Sequence, residues 1–260
     1  MILPALINWT PTRLALHQAA QVIGGVRAAL APPEANHLHL ALRPIPEGLT
    51  TGVLPGVGEL VLDFGALAIF YHPLEHDPVG FALARHSQVT LADALENGLS
   101  SLGHPVTPKR DKVTGTEVLS ADPFIAAAYA GVLARLSTVL ERLRASLPGQ
   151  TSPLVVWPHG FDLSFLWFAT GSAADSAPHM SFGFSPYSDG FERPYMYGYA
   201  HPMPAGMTQR SLEPPAYWYT GLWTGAVIPY DALIGVEDPD AAIERHLRAI
   251  QAAVAPLLKG

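Results

Sequence analysis

His37 and His39 stand two residues apart in the alternating string HLHLALR. On a β-strand such a pair leaves the same face about 7 Å apart at the backbone, with Leu38, Leu40 and Leu42 pointing the other way. That spacing suits two metal ligands, but a working site needs a third His or carboxylate, for which His159, His179, His201 and Asp162 are the candidates. The commoner reading is the solvated face of a half-buried strand. His159 lies at the tip of a Pro158-His159-Gly160 turn, and Asp162 follows on a strand, sharing its face with Ser164 and opposed by Phe161, Leu163, Phe165 and Trp167. A carboxylate beside an imidazole orients it as a base or ligand, so His159, Asp162 and His39 are the candidate catalytic groups. A turn-stabilising Asp and an exposed His are the plainer alternative.

Two further groups of residues suit binding rather than catalysis. Tyr195, Tyr197, Tyr199 and His201 alternate along one strand face, and such a ladder either lines an aromatic pocket or packs beneath a helix. His17, Gln21 and Gly24 fall at i, i+4 and i+7 on the first predicted helix, with Arg27 beside them. That face is opposite the apolar stripe, so it is either solvated or one wall of a polar cleft.

Several patterns carry nothing. His72-Pro73-Leu74-Glu75-His76 matches a zinc-protease string, but its proline and its position after a strand exclude the helix that chemistry needs. No GxSxG elbow, phosphate loop or GxGxxG between strand and helix is present, so nucleotide cofactors have no support. With zero cysteines there are no disulfides, iron–sulfur clusters, thiolate zinc sites or cysteine nucleophiles. The cofactor is unknown: a divalent metal on the histidines is possible but disfavoured, because no complete ligand set is legible for it.

The elements that must position these residues are readable from periodicity. Thr10-Pro11 opens a helix over about 11–30, with Leu16, Ala19, Ile23, Val26 and Leu30 at helical spacing. Residues 37–71 change to an alternating period and predict a small antiparallel meander, beginning with a strand at HLHLALR. A helix near 90–102, a polar loop at 104–120 and a long helix from Asp122-Pro123 to Pro148-Gly149 follow. PLVVW and FDLSFLWF then form a hairpin, HMSFGFS and PYMYGYAH are strands, YWYTGLWTGAVIPY holds one more, and Asp238-Pro239 starts a final helix. Strands adjacent in sequence favour hairpins. The expected fold is therefore α+β, a mainly antiparallel sheet flanked by helices in a sandwich, as a single domain over 1–260.

Composition narrows the partners. Of 260 residues 49% are hydrophobic and 14% charged, which supplies a core and excludes disorder. The net charge is −7 and the only lysines are Lys109, Lys112 and Lys259, so no basic stripe exists for nucleic acid or an anionic membrane. No signal-peptide pattern and no uninterrupted apolar run of ~20 residues is found, and a cytoplasmic location is expected. A small molecule is the partner these residues suit; oligomeric state is not legible.

The strings LHQAAQVIGGVRAALAPP, NHLHLALRPIPEGLTTGVLP, SPLVVWPHGFDLSFLWF and FGFSPYSDGFERPYMYGYAHP together resemble a bacterial family, domain of unknown function 5996, over nearly the whole chain. The resemblance rests on His17, Gln21, Gly24 and Arg27, on Asn36, His39 and Gly48 to Thr51, and on Ser152, Pro153 and Phe161 to Leu163. Gly25 stands where the family usually has a lysine and Trp167 where it has an arginine, so two charges that a bound anion would meet are absent from those positions. The resemblance implies no reaction. It implies that His17, Gln21, Arg27, His39, His159 and Asp162 belong to one site, with Thr51 near it.

The expected function is a small-molecule pocket on the sheet with His39 and His159 in acid–base or ligand roles and Asp162 orienting one of them. The alternatives are a non-catalytic binder of an apolar or aromatic ligand, lined by Tyr197, Tyr199 and His201, and an oligomeric interaction module.

Overall fold

A computed structural model describes residues 2–258. The chain is α+β with two antiparallel sheets, and it divides into two compact units. One, the meander unit, comprises Leu6–Ala134 with Val156–Phe161; the other, the six-stranded unit, comprises Met1–Ala5, Arg135–Val155 and Asp162–Gly260.

The meander unit opens with α1 (Thr10–Leu30), which has Pro11 in its first turn as the fixed φ of proline allows. Its sheet is β1 (Arg43–Ile45), β2 (Gly48–Leu54), β3 (Gly58–Asp63), β4 (Ala68–Pro73) and β5 (Val79–Ala82), paired in sequence order. A bulge between Thr50 and Val53 interrupts the β2–β3 register, and Gly52, at φ 65°, takes the left-handed backbone there. α2 (Gln88–Ser101) starts at a capping box: Thr90 N–H donates to the Ser87 hydroxyl at 3.2 Å, and Ser87 N–H donates to the Thr90 hydroxyl at 2.9 Å. The predicted helix at 90–102 and the loop that follows are where the sequence put them.

Of the two readings of the α1 polar face, the solvated one does not hold at His17 and Arg27. The apolar stripe of α1 is buried, but so are His17, at 6% exposure, and Arg27, at 7%. The polar face is an internal wall of this unit, and its groups need internal partners.

The strand expected at HLHLALR is absent. Residues Ala35–Leu40 are instead two short 3-10 turns across a kink, with Asn36 at φ 53° and His37 at φ 56°. Two successive left-handed residues reverse the chain, so no shared strand face exists for His37 and His39. Alternation over six residues was the whole basis for the strand, and a tight turn satisfies it equally. The strand chelate is thereby corrected. Among the described residues no group of three or more His, Asp or Glu side chains is close enough to hold a metal.

α3 (Pro123–Ser146) runs from the meander unit into the six-stranded one. It is long and apolar enough to cross a membrane, but its stripe of Tyr129, Val132, Leu136, Val139 and Leu143 is buried, as in a core helix. The second sheet is formed by β6 (Val155–Trp157), β7 (Asp162–Phe168), β8 (His179–Ser185), β9 (Tyr195–His201), β10 (Tyr217–Thr220) and β11 (Thr224–Pro229) in the order β10-β11-β9-β8-β7-β6. YWYTGLWTGAVIPY therefore holds a two-strand hairpin where one strand was expected. α4 (Pro239–Leu258) packs on β8 and β9, with Gly198 leaving room for Ile250. Asp240 and Glu244 of α4 pair with Arg135 and Arg142 at 2.6 Å each.

Candidate functional site

In the meander unit, a cavity of about 360 Å³ lies beside α1. One wall is the α1 face Gln21, Gly24, Gly25 and Ala28; the others are Leu40, the loop residues Lys109, Asp111 and Lys112, and the turn residues Pro158 and His159. Its volume is in the range of small-ligand sites.

The turn is held from below. Gly160 and Phe161 N–H groups both donate to the Trp157 carbonyl, at 3.2 and 2.7 Å, and Phe161 closes the turn with φ 59°. The left-handed position falls on Phe161 rather than on Gly160, and the aromatic ring is the reason the strain is tolerated. It is 1% exposed, stacks on His17 with centroids 5.3 Å apart, and meets Tyr129 at 5.6 Å and Phe64 at 6.3 Å. The His17 Nε2 lies 2.8 Å from the Pro158 carbonyl. A carbonyl only accepts, so Nε2 carries the proton and donates it there. The Gln21 carboxamide nitrogen is 3.1 Å from that same Nε2, and Gln21 also lines the cavity. Gly24 completes the seat, because a Cβ there would stand 2.6 Å from the Pro158 ring. His17, Gln21 and Gly24 thus form one surface on which the His159 turn rests, and His159 itself is exposed at the cavity.

Burial lowers the His17 pKa to about 4, against the raising effect of the Pro158 and His159 backbone groups. At neutral pH it is an uncharged post under the turn.

The loop is fixed just as firmly. Lys109 N–H donates to the Gly25 carbonyl at 3.0 Å, and a Cβ at Gly25 would collide with the Lys109 carbonyl. A side chain at position 25 and the loop in this place exclude one another. Gln88, 1% exposed, accepts from Thr114 N–H at 3.0 Å and Gly115 N–H at 2.8 Å, and donates to Gln21 Oε1 at 2.7 Å and the Lys112 carbonyl at 3.0 Å. Arg110 clasps Asp93 and Glu96 of α2 at 2.6 Å each. Gln88→Ala leaves these backbone groups without their partner and should cost about 1–3 kcal/mol. Hydrogen exchange should show the loss as faster exchange at Thr114 and Gly115, and unchanged protection there would contradict the keystone role.

A second polar cluster sits farther along α1. Arg27 donates to the Thr51 carbonyl at 2.5 Å and to the Leu38 carbonyl at 3.4 Å, and pairs with Glu34 at 3.5 Å. Burial pulls its pKa down, with Glu34 opposing. Thr51 is wholly buried and its hydroxyl accepts from Leu60 N–H at 3.0 Å. His39 Nδ1 accepts from Glu34 N–H at 3.2 Å. Arg27, Thr51 and His39 therefore tie the 3-10 turns and the β2 bulge to α1, and the turns deliver Leu40 to the cavity.

A family model described as a family of unknown function, DUF5996, matches residues 3–259. The chain belongs to the DUF5996 family. No curated protein and no solved structure matches it.

In this DUF5996 protein, Gln21 and His159 meet at the cavity, with His17 directly behind them. Asp162, Tyr197, Tyr199 and His201 belong to the six-stranded unit. There Asp162 accepts from the Tyr197 hydroxyl at 2.5 Å, and burial pushes the Tyr197 pKa well above its ordinary value. The tyrosine ladder is packed at one end, where Tyr195 and Tyr197 are 4% and 5% exposed, whereas Tyr199 is 36% exposed. Trp223 stacks over Tyr195 at 6.1 Å, and Phe191 sits 4.5 Å from Tyr195 and 4.8 Å from Tyr219. His201 pairs across strands with His179, rings 5.4 Å apart. Sequence reading missed Gln88, Leu40 and the 109–112 loop. The available signal was that two of the chain's three lysines fall together in that loop.

Proposed function

We propose that this DUF5996 protein binds a small organic molecule in the meander-unit cavity, with His159 placed to exchange a proton with it. The observation that carries the reading is convergence: a helix face that Gly24 and Gly25 let the turn and the loop approach closely, the pinned loop itself and an exposed imidazole on the turn surround one ligand-sized space. Imidazole is the side chain most used for proton transfer near neutral pH. Gln21 supplies amide hydrogens to orient a ligand, while Ala28, Leu40 and Pro158 supply apolar surface.

Native mass spectrometry of untagged protein from a cell extract, beside its Ala28→Trp variant, tests this. An indole at position 28 fills the space, so the wild type should carry an organic mass that the variant lacks. An organic mass retained equally by both would place the ligand elsewhere.

A further inference from the structure

The cavity is built with unequal charge. The chain has net charge −7 and only three lysines, yet two of them, Lys109 and Lys112, line this one space. Among the described residues neither ammonium has a carboxylate within ion-pair distance, whereas the intervening Arg110 is committed to Asp93 and Glu96. Asp111 is the single acid of the lining. The Gly25 carbonyl and the Gln88 side chain hold the loop backbone at Lys109 and Lys112, so the two lysine stems leave from defined points. The opposite wall is uncharged: Gly24, Gly25, Ala28 and Leu40 offer no group that would pair with a cation.

We propose that the ligand is a small organic anion with an apolar body, its acid group held by Lys109 and Lys112 and its body lying on Ala28, Leu40 and Pro158. This rests on the cavity reading above and adds the ligand's charge. Two ammonium groups against one carboxylate leave a net positive lining, and the apolar wall favours a body over a bare inorganic ion. A guanidinium fork and a helix N-terminus, the usual phosphate holders, are both absent from the lining.

The test uses two fluorescent probes of similar size, anionic 8-anilinonaphthalene-1-sulfonate and neutral N-phenyl-1-naphthylamine, titrated into the full-length protein. The anion should bind more tightly than the neutral probe, and its affinity should fall as salt rises. Lys109→Gln and Lys112→Gln should each weaken anion binding about two- to fivefold. Asp111→Asn should strengthen it by about the same factor, a sign that a folding defect does not produce. Neutral-probe binding should be the same in all three variants. Equal affinity for both probes, unmoved by the three substitutions, would overturn the anion and leave the cavity. Binding of neither probe would take away the cavity reading itself.

Discussion

Replacing Phe161 by alanine is expected to destabilise the meander unit by about 3–5 kcal/mol, the range for removing a large aromatic side chain from a packed core. The ring is 1% exposed and touches His17, Phe64 and Tyr129, so its loss opens a cavity among three aromatic neighbours. The backbone adds to the effect. Phe161 holds φ 59°, and without its anchor an alanine gains by relaxing out of the left-handed region, which dissolves the turn that presents His159. Hydrogen exchange of the α1 amides and a denaturant midpoint both read the loss. Phe161→Leu keeps most of the buried volume and should cost less than half as much. A loss under about 1 kcal/mol for Phe161→Ala would show that the turn does not depend on this ring.

The second large effect is on pH. His17 titrates at about 4 when folded against 6.5 as the ordinary value, because burial disfavours the charged ring. Between those values the unfolded chain binds a proton at this position that the folded chain does not. Stability from this group is therefore complete above about pH 6.5 and falls as pH drops toward 4, by about 3 kcal/mol in total at 1.36 kcal/mol per unit. His17→Gln removes the titration. Urea midpoints measured from pH 7 to pH 4 should fall more steeply in the wild type than in His17→Gln, by close to one proton in slope over most of that range. Parallel curves would mean that His17 is not the buried neutral post described above.

The helices were legible because their signals are redundant. α1 and α4 each combine a proline in the first turn with several apolar residues at 3.6 spacing, and no other structure satisfies both. The strands from β7 to β9 were legible for the same reason, through alternation bounded by turn residues. The 35–40 segment was not, because its turns are held through Leu38 and His39 by Arg27 and Glu34, contacts made only in the folded chain. The site was half legible. His17 and Gln21 stood out on the helix face opposite the apolar stripe and His159 at the tip of a turn, but their roles follow from packing: His17 is the support, Gln21 the wall and His159 the exposed group. The 109–112 loop carries no periodicity, and its place against Gly25 depends on a missing Cβ and on Gln88, both of which act across long stretches of sequence. Asp162 was grouped with His159 by nearness in sequence and by the family resemblance, and the structure gives its carboxylate the Tyr197 hydroxyl.

The most direct measurement is an amide chemical-shift map of the full-length protein titrated with 8-anilinonaphthalene-1-sulfonate. The perturbed amides should be Gly24, Gly25, Ala28, Lys109, Asp111, Lys112 and His159, which surround one space from three separate stretches of chain. Perturbations confined to Tyr195, Tyr197, Tyr199 and Trp223 would contradict it, and would move the binding site to the aromatic cluster of the six-stranded unit.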